Sequence, residues 1–380
     1  MADNNRKRVV VKIGSSSLTD VKGELSTEKI GKLVEEINKI KVKGHEVIVV
    51  TSGAIAAGFK RLGYKERPKT VSGKQAAAAV GQGLLMEEYT RYLLQLGYVS
   101  AQILLTRGDF ADKRRYQNAY NTLEVLIKKG AIPIINENDT ISIEELKFGD
   151  NDILSAQVAG MMHADLLVML TDIDGLYTAD PRKDATAEKI KVVDRITEEI
   201  EELAGSIGSI VGSGGMHSKI KAIKLSVLAG VPVFICHAQE AEVLEKALAG
   251  SANGTYFKAC KANLKTKLQW ISFHSSISGT IYIDEGAVNA LEKNGKSLLP
   301  SGIINIEGYF CAGDVVEVLD AEGNYIGRGI INYNSKDLKA CKGLSSADIC
   351  RTKGAVKIEA IHRDNWVGNL QLEKRSERDE

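Results

Sequence analysis

The 380-residue chain has only five cysteines, and they carry no metal-binding or disulfide spacing. Cys236, Cys260, Cys311, Cys341 and Cys350 form no Cys-x-x-Cys pair and no zinc pattern. An odd, scattered set suits reduced thiols better than a disulfide framework. Long apolar runs are missing too, and none approaches the ~20 residues that a membrane-spanning helix needs. The polar start, Met1-Ala2-Asp3-Asn4-Asn5-Arg6-Lys7-Arg8, lacks the apolar core of a secretion signal. A cytoplasmic protein without a membrane partner is therefore expected, and the sequons at Asn138-Asp139-Thr140 and Asn253-Gly254-Thr255 are read as chance. Nor is there an excess of either charge: 50 Lys and Arg against 49 Asp and Glu leave a formal net charge of +1. No global basic field recommends nucleic acid as the main partner.

Several signatures of phosphate chemistry and hydrolysis are absent as well. Asn294-Gly295-Lys296-Ser297 imitates the end of a P-loop, but the motif's first glycine would fall at Ala290. Gly212-Ser213-Gly214-Gly215 starts like a dinucleotide fingerprint, yet His217 stands where the third glycine belongs. The protein-kinase catalytic loop, Asp-Phe-Gly, His-Glu-x-x-His and Gly-x-Ser-x-Gly are all missing. The six histidines are dispersed, and no internal repeat is visible.

What is present is a long alternation of strand and helix patterns. With 44% hydrophobic and 26% charged residues the chain can fill ordinary cores, in two or three domains if each takes ~100–200 residues. Arg8-Val9-Val10-Val11-Lys12-Ile13 reads as a buried parallel strand that ends in Gly14-Ser15-Ser16-Ser17. Ser26 caps a helix whose Ile30, Leu33, Val34, Ile37 and Ile40 share one face, and Glu46 to Val50 is the next strand. Such a succession makes a right-handed βαβ unit the default. Lys74 to Leu96 reads as a long helix with a small-residue face, suited to close contact inside the fold or between subunits. Strands over 99–105, 132–135, 166–170 and 231–236 follow, with helices between them and a polar surface excursion around Asp180-Pro181-Arg182. After Gly254 short β-like runs take over, with turn signals at Asp284-Glu285-Gly286 and Glu322-Gly323-Asn324. The expected layout is an α/β domain over 1–258, a linker over 259–277, a β-rich domain over 278–362 and a charged tail over 363–380.

The chemistry concentrates at the ends of strands. An apolar run, Ala131 to Ile135, leads directly into Asn136-Glu137-Asn138-Asp139, and Gly149-Asp150-Asn151-Asp152 opens the next helix. Acids and amides there can grip an ammonium group, orient lysines or hold Mg²⁺ through water. They can equally be an ordinary acidic turn. Lys12 is either a lysine snorkelling from a strand end or a cation aimed at phosphate across the glycine-serine loop. Gly214 and Gly215 precede a helix whose first turn holds Lys219, a position the helix dipole disfavours and a bound phosphate would explain.

These stretches together resemble one family. Val11-Lys12-Ile13-Gly14-Ser15-Ser16, Thr51-Ser52-Gly53-Ala54-Ile55-Ala56-Ala57-Gly58, Ile135-Asn136-Glu137-Asn138-Asp139 and Gly149-Asp150-Asn151-Asp152 look like motifs of the glutamate 5-kinase family. So do Leu170-Thr171-Asp172, Gly175-Leu176-Tyr177-Thr178-Ala179-Asp180-Pro181, and Gly214-Gly215-Met216 with Lys219. Residues 278 to 362 resemble the PUA domain that bacterial members often carry. The resemblance implies an open αβα sandwich of the amino acid kinase type followed by a small β-rich domain. It implies ATP and Mg²⁺ as cofactors and L-glutamate as substrate, giving glutamyl 5-phosphate on the route to proline. By the same resemblance Lys12 and Lys219 neutralise the transferring phosphoryl group and Asp152 holds both lysines. Ser52, Asp139 and Asn151 take glutamate; Lys12, Thr171, Asp172 and the run Ser213, Gly214, Gly215, Met216, His217, Ser218, Lys219 take ATP. Family members commonly show Thr where this chain has Ser213, which keeps the hydroxyl. Feedback inhibition by proline and a homo-oligomer are expected, with Thr140 to Phe148 as a mobile lid or inhibitor-sensitive loop. The competing readings are an amino acid kinase for acetylglutamate, aspartate, carbamate or a nucleoside monophosphate, and an RNA-binding protein acting through the β domain.

Overall fold

The computed structural model describes residues 6–141, 151–181, 184, 186–206, 216–259, 268, 271, 275, 277–344 and 359–368. The chain divides into two compact units, residues 1–109 with 114–259, and residues 260–380 with 110–113. Up to Ala259 the order begins β1 (Arg8–Ile13), α1 (Ser15–Leu18), α2 (Thr27–Val42), β2 (Glu46–Thr51), α3 (Ala54–Gly58) and α4 (Val71–Gln95). It continues with β3 (Ser100–Leu105), α5 (Arg107–Ala111), α6 (Lys113–Lys128), β4 (Ile132–Glu137), α7 (Asn151–Met161) and β5 (Leu166–Thr171). Then come β6 (Leu176–Tyr177), β7 (Lys189–Ile190), β8 (Val192–Val193), α8 (Glu198–Ser206), α9 (Met216–Leu228), β9 (Val233–His237), α10 (Val243–Ala249) and β10 (Gly254–Phe257).

Eight of the described strands make one sheet in the order β3-β4-β2-β1-β5-β9-β10-β8. From β3 to β9 neighbouring strands are parallel, so their carboxyl ends share one edge; β10 runs antiparallel to β9. Val9, Val10 and Val11 are buried, as are Val47 to Val50 and Leu167 to Leu170, the continuous apolar pattern of strands covered on both faces. The chain leaves β1 for β2 on one side and later returns to β5 on the other. Strand order thus reverses at β1, and the crevice outside the strand ends at such a switch point is where open α/β sheets bind ligands.

Ser26 caps α2 as expected, accepting a hydrogen bond from the Lys29 N–H at 3.4 Å. Helix α4 starts at Val71, three residues before its expected start, because the Thr70 hydroxyl accepts from Gly73 N at 3.2 Å. Its small-residue face works inside the fold: a Cβ on Gly81 would lie 1.8 Å from Ala54 O, and one on Gly58 2.0 Å from Ala77 O. The excursion after Tyr177 contains a β6–β7 pair and the edge strand β8. Strand β10 carries no sequence signal, because its four residues give too few alternations to show a period.

In the second unit β11 (Ile277–Ile283), β12 (Ile303–Gly308), β13 (Val315–Leu319), β14 (Tyr325–Ile331) and β15 (Ile361–Gly368) form a sheet in the order β12-β11-β13-β14-β15. Ile281, Val316, Val318, Ile331, Leu338 and Ile361 fill its core. Two expectations need correction. Asp284-Glu285-Gly286 is not a turn but a helix start, in which Asp284 Oδ1 accepts from Ala287 N at 2.7 Å. The charged tail cannot begin at 363, because β15 pairs with β14 as far as Gly368 and buries Trp366 and Val367. Most of the expected linker lies outside the described residues, and so do residues 142–148 of the expected lid.

Candidate active site

Alternation along β1 puts Val9, Val11 and Ile13 into the core cluster on one face and turns Val10 and Lys12 to the other. On that other face Lys12 forms an ion pair with Asp152 Oδ1, in the first turn of α7. Helix α9 packs beside α7, and Lys219 in its first turn reaches Asp152 Oδ2 at 3.2 Å. One carboxylate thus bridges two ammonium groups from two different elements. All three side chains are nearly sealed from water, 3% exposed for Lys12, 0% for Asp152 and 11% for Lys219. Asp152 suits the positive end of its own helix, whereas Lys219 opposes the dipole of α9 and is stabilised by Asp152 instead. Removing one partner from such a buried group typically costs about 3–5 kcal/mol. Two cations and one anion leave the trio with a positive excess, so an anionic ligand complements it.

Beside the trio, Asn151 Nδ2 donates to Ser52 Oγ at 2.9 Å, joining the start of α7 to the end of β2. Asn151 Oδ1 is buried without a hydrogen-bond partner among the described residues. The neighbouring Thr51 hydroxyl shares a 2.9 Å hydrogen bond with the Tyr89 hydroxyl of α4 and reaches Ser52 O at 3.1 Å. Burial pushes the Tyr89 phenol far above its ordinary pKa, against the smaller pull of Thr51, so it stays neutral. At the end of β4, Asn136 Nδ2 donates to Gln82 Oε1 at 2.9 Å. Half-buried Asp139 occupies the turn just beyond.

Across β1, Thr171 ends β5 buried, its hydroxyl donating to Ile173 O at 2.8 Å and accepting from Ile173 N at 3.0 Å. Asp172 beside it is exposed. Gly14 N donates to Leu170 O at 3.2 Å, tying the loop after β1 to the end of β5. Met216 and Lys219 are buried at the start of α9, Ser218 is half-buried and His217 is exposed. Ser213, Gly214 and Gly215 lie outside the described residues, as do Gly149 and Asp150. The structure therefore brings together Lys12, Asp152 and Lys219, and joins Ser52 to Asn151. Asp139 lies in the turn after β4, and Asp172 follows the last residue of β5. Tyr89 and Gln82 carry no motif signal, whereas Thr51 and Asn136 stand inside the motifs without a role of their own there. For Gln82 the cue is a polar side chain set between Gly81 and Gly83 in the small-residue stretch of α4.

The fold and this site define a class, and comparison with known proteins agrees with it. The Amino acid kinase family matches residues 7–237, and the PUA domain matches residues 279–352. A carbamate kinase from Giardia lamblia, solved bound to AMP-PNP, shares the fold with a TM-score of 0.51 at 16% identity, covering 67% of this chain and 99% of its own. Glutamate 5-kinase of Bacillus cereus (strain G9842) is 50% identical over 363 residues, 95% of this chain and 99% of that protein. Glutamate 5-kinase of Geobacillus kaustophilus is also 50% identical over 363 residues, covering 95% and 97%. The chain belongs to the amino acid kinase family, and within it to the PUA-bearing glutamate 5-kinases.

Proposed function

We propose that this protein transfers the γ-phosphoryl group of ATP to the γ-carboxylate of L-glutamate, giving glutamyl 5-phosphate and ADP. The observation that carries the chemistry is the buried Lys12–Asp152–Lys219 trio at the switch point. In the transfer a carboxylate oxygen attacks the γ-phosphorus while the bond to the ADP oxygen breaks. The acceptor is already ionised at pH 7, so no general base is needed. Catalysis then rests on alignment and on fixed positive charge. Lys12, in the central strand, and Lys219, at a helix start, supply that charge from opposite elements. Asp152 fixes where both ammonium groups sit, which makes it an orienting group. Ser52, Asn151 and Asp139 hold the amino acid, and the acceptor left over on Asn151 suits its ammonium group. Thr171, Asp172 and the segment Ser213 to Lys219 hold the nucleotide.

Mg²⁺ supplies further neutralisation of the phosphates when bound. Among the described residues no three His, Cys, Asp or Glu side chains cluster to hold a metal, and Asp152 is engaged by two lysines. Since both lysines engage Asp152, a Mg²⁺ ion would come in with the phosphates of the nucleotide. Proline, sharing the carboxylate and amino group of glutamate, would compete at the same subsite, and assembly of several copies belongs to the same reading. Among the described residues no helix is long and apolar enough to cross a membrane. The deciding experiment is an ATP-dependent hydroxamate assay on glutamate, acetylglutamate and aspartate. Turnover of glutamate alone is expected; turnover of aspartate without glutamate would overturn the assignment.

A further inference from the structure

Helix α4 touches the ends of both strands that frame the amino-acid side of the site. Its Gly81 backbone meets α3 so closely that a Cβ there would stand 1.8 Å from Ala54 O and 2.5 Å from Gly58 N. Helix α3 begins two residues after Ser52, so this contact fixes the Ser52–Gly53 loop. Gly53 itself has φ +105°, a left-handed conformation that suits glycine. Two turns further along α4, the buried Tyr89 holds Thr51. Directly after Gly81 comes Gln82, whose Oε1 accepts the Asn136 amide at 2.9 Å.

Asn136 is 1% exposed at the carboxyl end of β4, three residues before Asp139. Its Oδ1 accepts from the Glu137 N–H at 2.9 Å, so Gln82 Oε1 and Glu137 N together set which way the amide faces. One Asn136 N–H remains beyond the one given to Gln82. The Nε2 of Gln82 is itself buried without a hydrogen-bond partner among the described residues. A buried amide kept half-satisfied is costly, and an apolar residue of similar length would avoid the cost. Packing alone does not explain glutamine at this position.

We propose that Gln82 is a positioning residue of the amino-acid subsite, acting through Asn136. Its acceptor oxygen holds the Asn136 amide so that the remaining N–H is presented to the carboxylate-bearing end of the substrate. With Gly81 and Tyr89 it makes α4 the template that sets the spacing between the Ser52 loop and the segment Asn136 to Asp139. The proposal rests on the amino acid kinase reading of this site, with Asn136 to Asp139 on the acceptor side.

The test is a double-mutant cycle of Gln82→Met, Asn136→Ala and the double variant in the full chain. KM for the amino acid, KM for ATP, kcat and thermal midpoint are measured for each. The amino acid used is whichever one the wild-type protein phosphorylates, so failure on glutamate itself counts against the substrate assignment and leaves this test intact. Gln82→Met is expected to raise the amino-acid KM about three- to tenfold, the share of one hydrogen bond, with kcat and the ATP KM within about twofold. The double variant should match Asn136→Ala alone, because the two residues act as one unit. An unchanged amino-acid KM in Gln82→Met would overturn the proposal, and so would strictly additive effects in the cycle. A fall in thermal midpoint with no change in KM would assign Gln82 a purely structural role and refute it too. If Gln82→Met does not fold, Gln82→Ala is read by the same criteria.

Discussion

Substituting Gly81 by alanine tests how tightly the helix pair behind the Ser52 loop is built. The added methyl would stand 1.8 Å from Ala54 O, 2.5 Å from Gly58 N and 2.9 Å from Ala54 C. All three are backbone atoms, so no side chain can swing away to make room. Reaching ordinary contact at about 3.5 Å requires α3 and α4 to part by roughly 1.5 Å. Overpacking of this kind costs about 1–3 kcal/mol, which a urea denaturation midpoint resolves. Because only Gly53 separates Ser52 from α3, the same displacement moves the loop proposed to hold the substrate, and a misplacement of about 1 Å can lower turnover by about 10². Gly83, on the same helix, has nothing within 4 Å of its added Cβ and is the internal control. Alanine there should stabilise by about 0.5–1 kcal/mol through helix propensity and leave activity unchanged. Opposite signs at the two positions are the expected result. Equal effects, or wild-type stability and turnover in Gly81→Ala, would refute the close-contact argument.

Other outcomes follow from the charged groups. Lys219→Ala should lower kcat by about 10² or more while leaving amino-acid affinity nearly intact, since the ammonium is proposed to act on developing phosphoryl charge; an unchanged kcat removes it from the mechanism. Asp139→Ala should chiefly raise the amino-acid KM, and steady-state kinetics showing a normal KM would take it out of the substrate site. At the hairpin after β5, burial raises the Asp174 carboxyl, but hydrogen bonds from Lys189 and from Tyr177 outweigh it and hold its pKa below the ordinary value. A carboxylate lowered in the folded state adds stability that is complete above the unfolded pKa near 4 and is lost as pH falls through the folded value. Acid denaturation of Asp174→Asn should therefore show a weaker loss of stability below about pH 4 than the wild type. Identical acid limbs for the two proteins would show that the pair contributes nothing.

Much of the architecture could be read from local pattern, and particular residues show why. The run Val9-Val10-Val11 and the Ser26 cap are signals contained within a few neighbours, so strand and helix were evident before any partner was known. The same locality explains the misses. Asp284 carries the chemistry of a turn and of a helix cap alike, and only the Ala287 N–H it accepts separates the two. Strand β15 hides in a charged sequence, His362-Arg363-Asp364, and is recognisable only once Trp366 and Val367 are seen buried against the sheet. At the site, Lys12, Asp152 and Lys219 could each be suspected from the strand or helix end they occupy. Gln82 could not be, since its partner lies 54 residues away.

By itself, then, the sequence determined the strand-helix alternation and the polar residues placed where strands stop, because those depend on periods of two and 3.6 and on caps a few residues long. The tertiary structure decided which of those ends meet. Parallel pairing of β1 with both β2 and β5 set the switch point, and the packing of α7 beside α9 put Asp152 between two lysines more than 200 positions apart. Ion pairs between residues so far apart in the chain are specified by its path and by the cost of burying unpaired charge, and neither is visible in any local window.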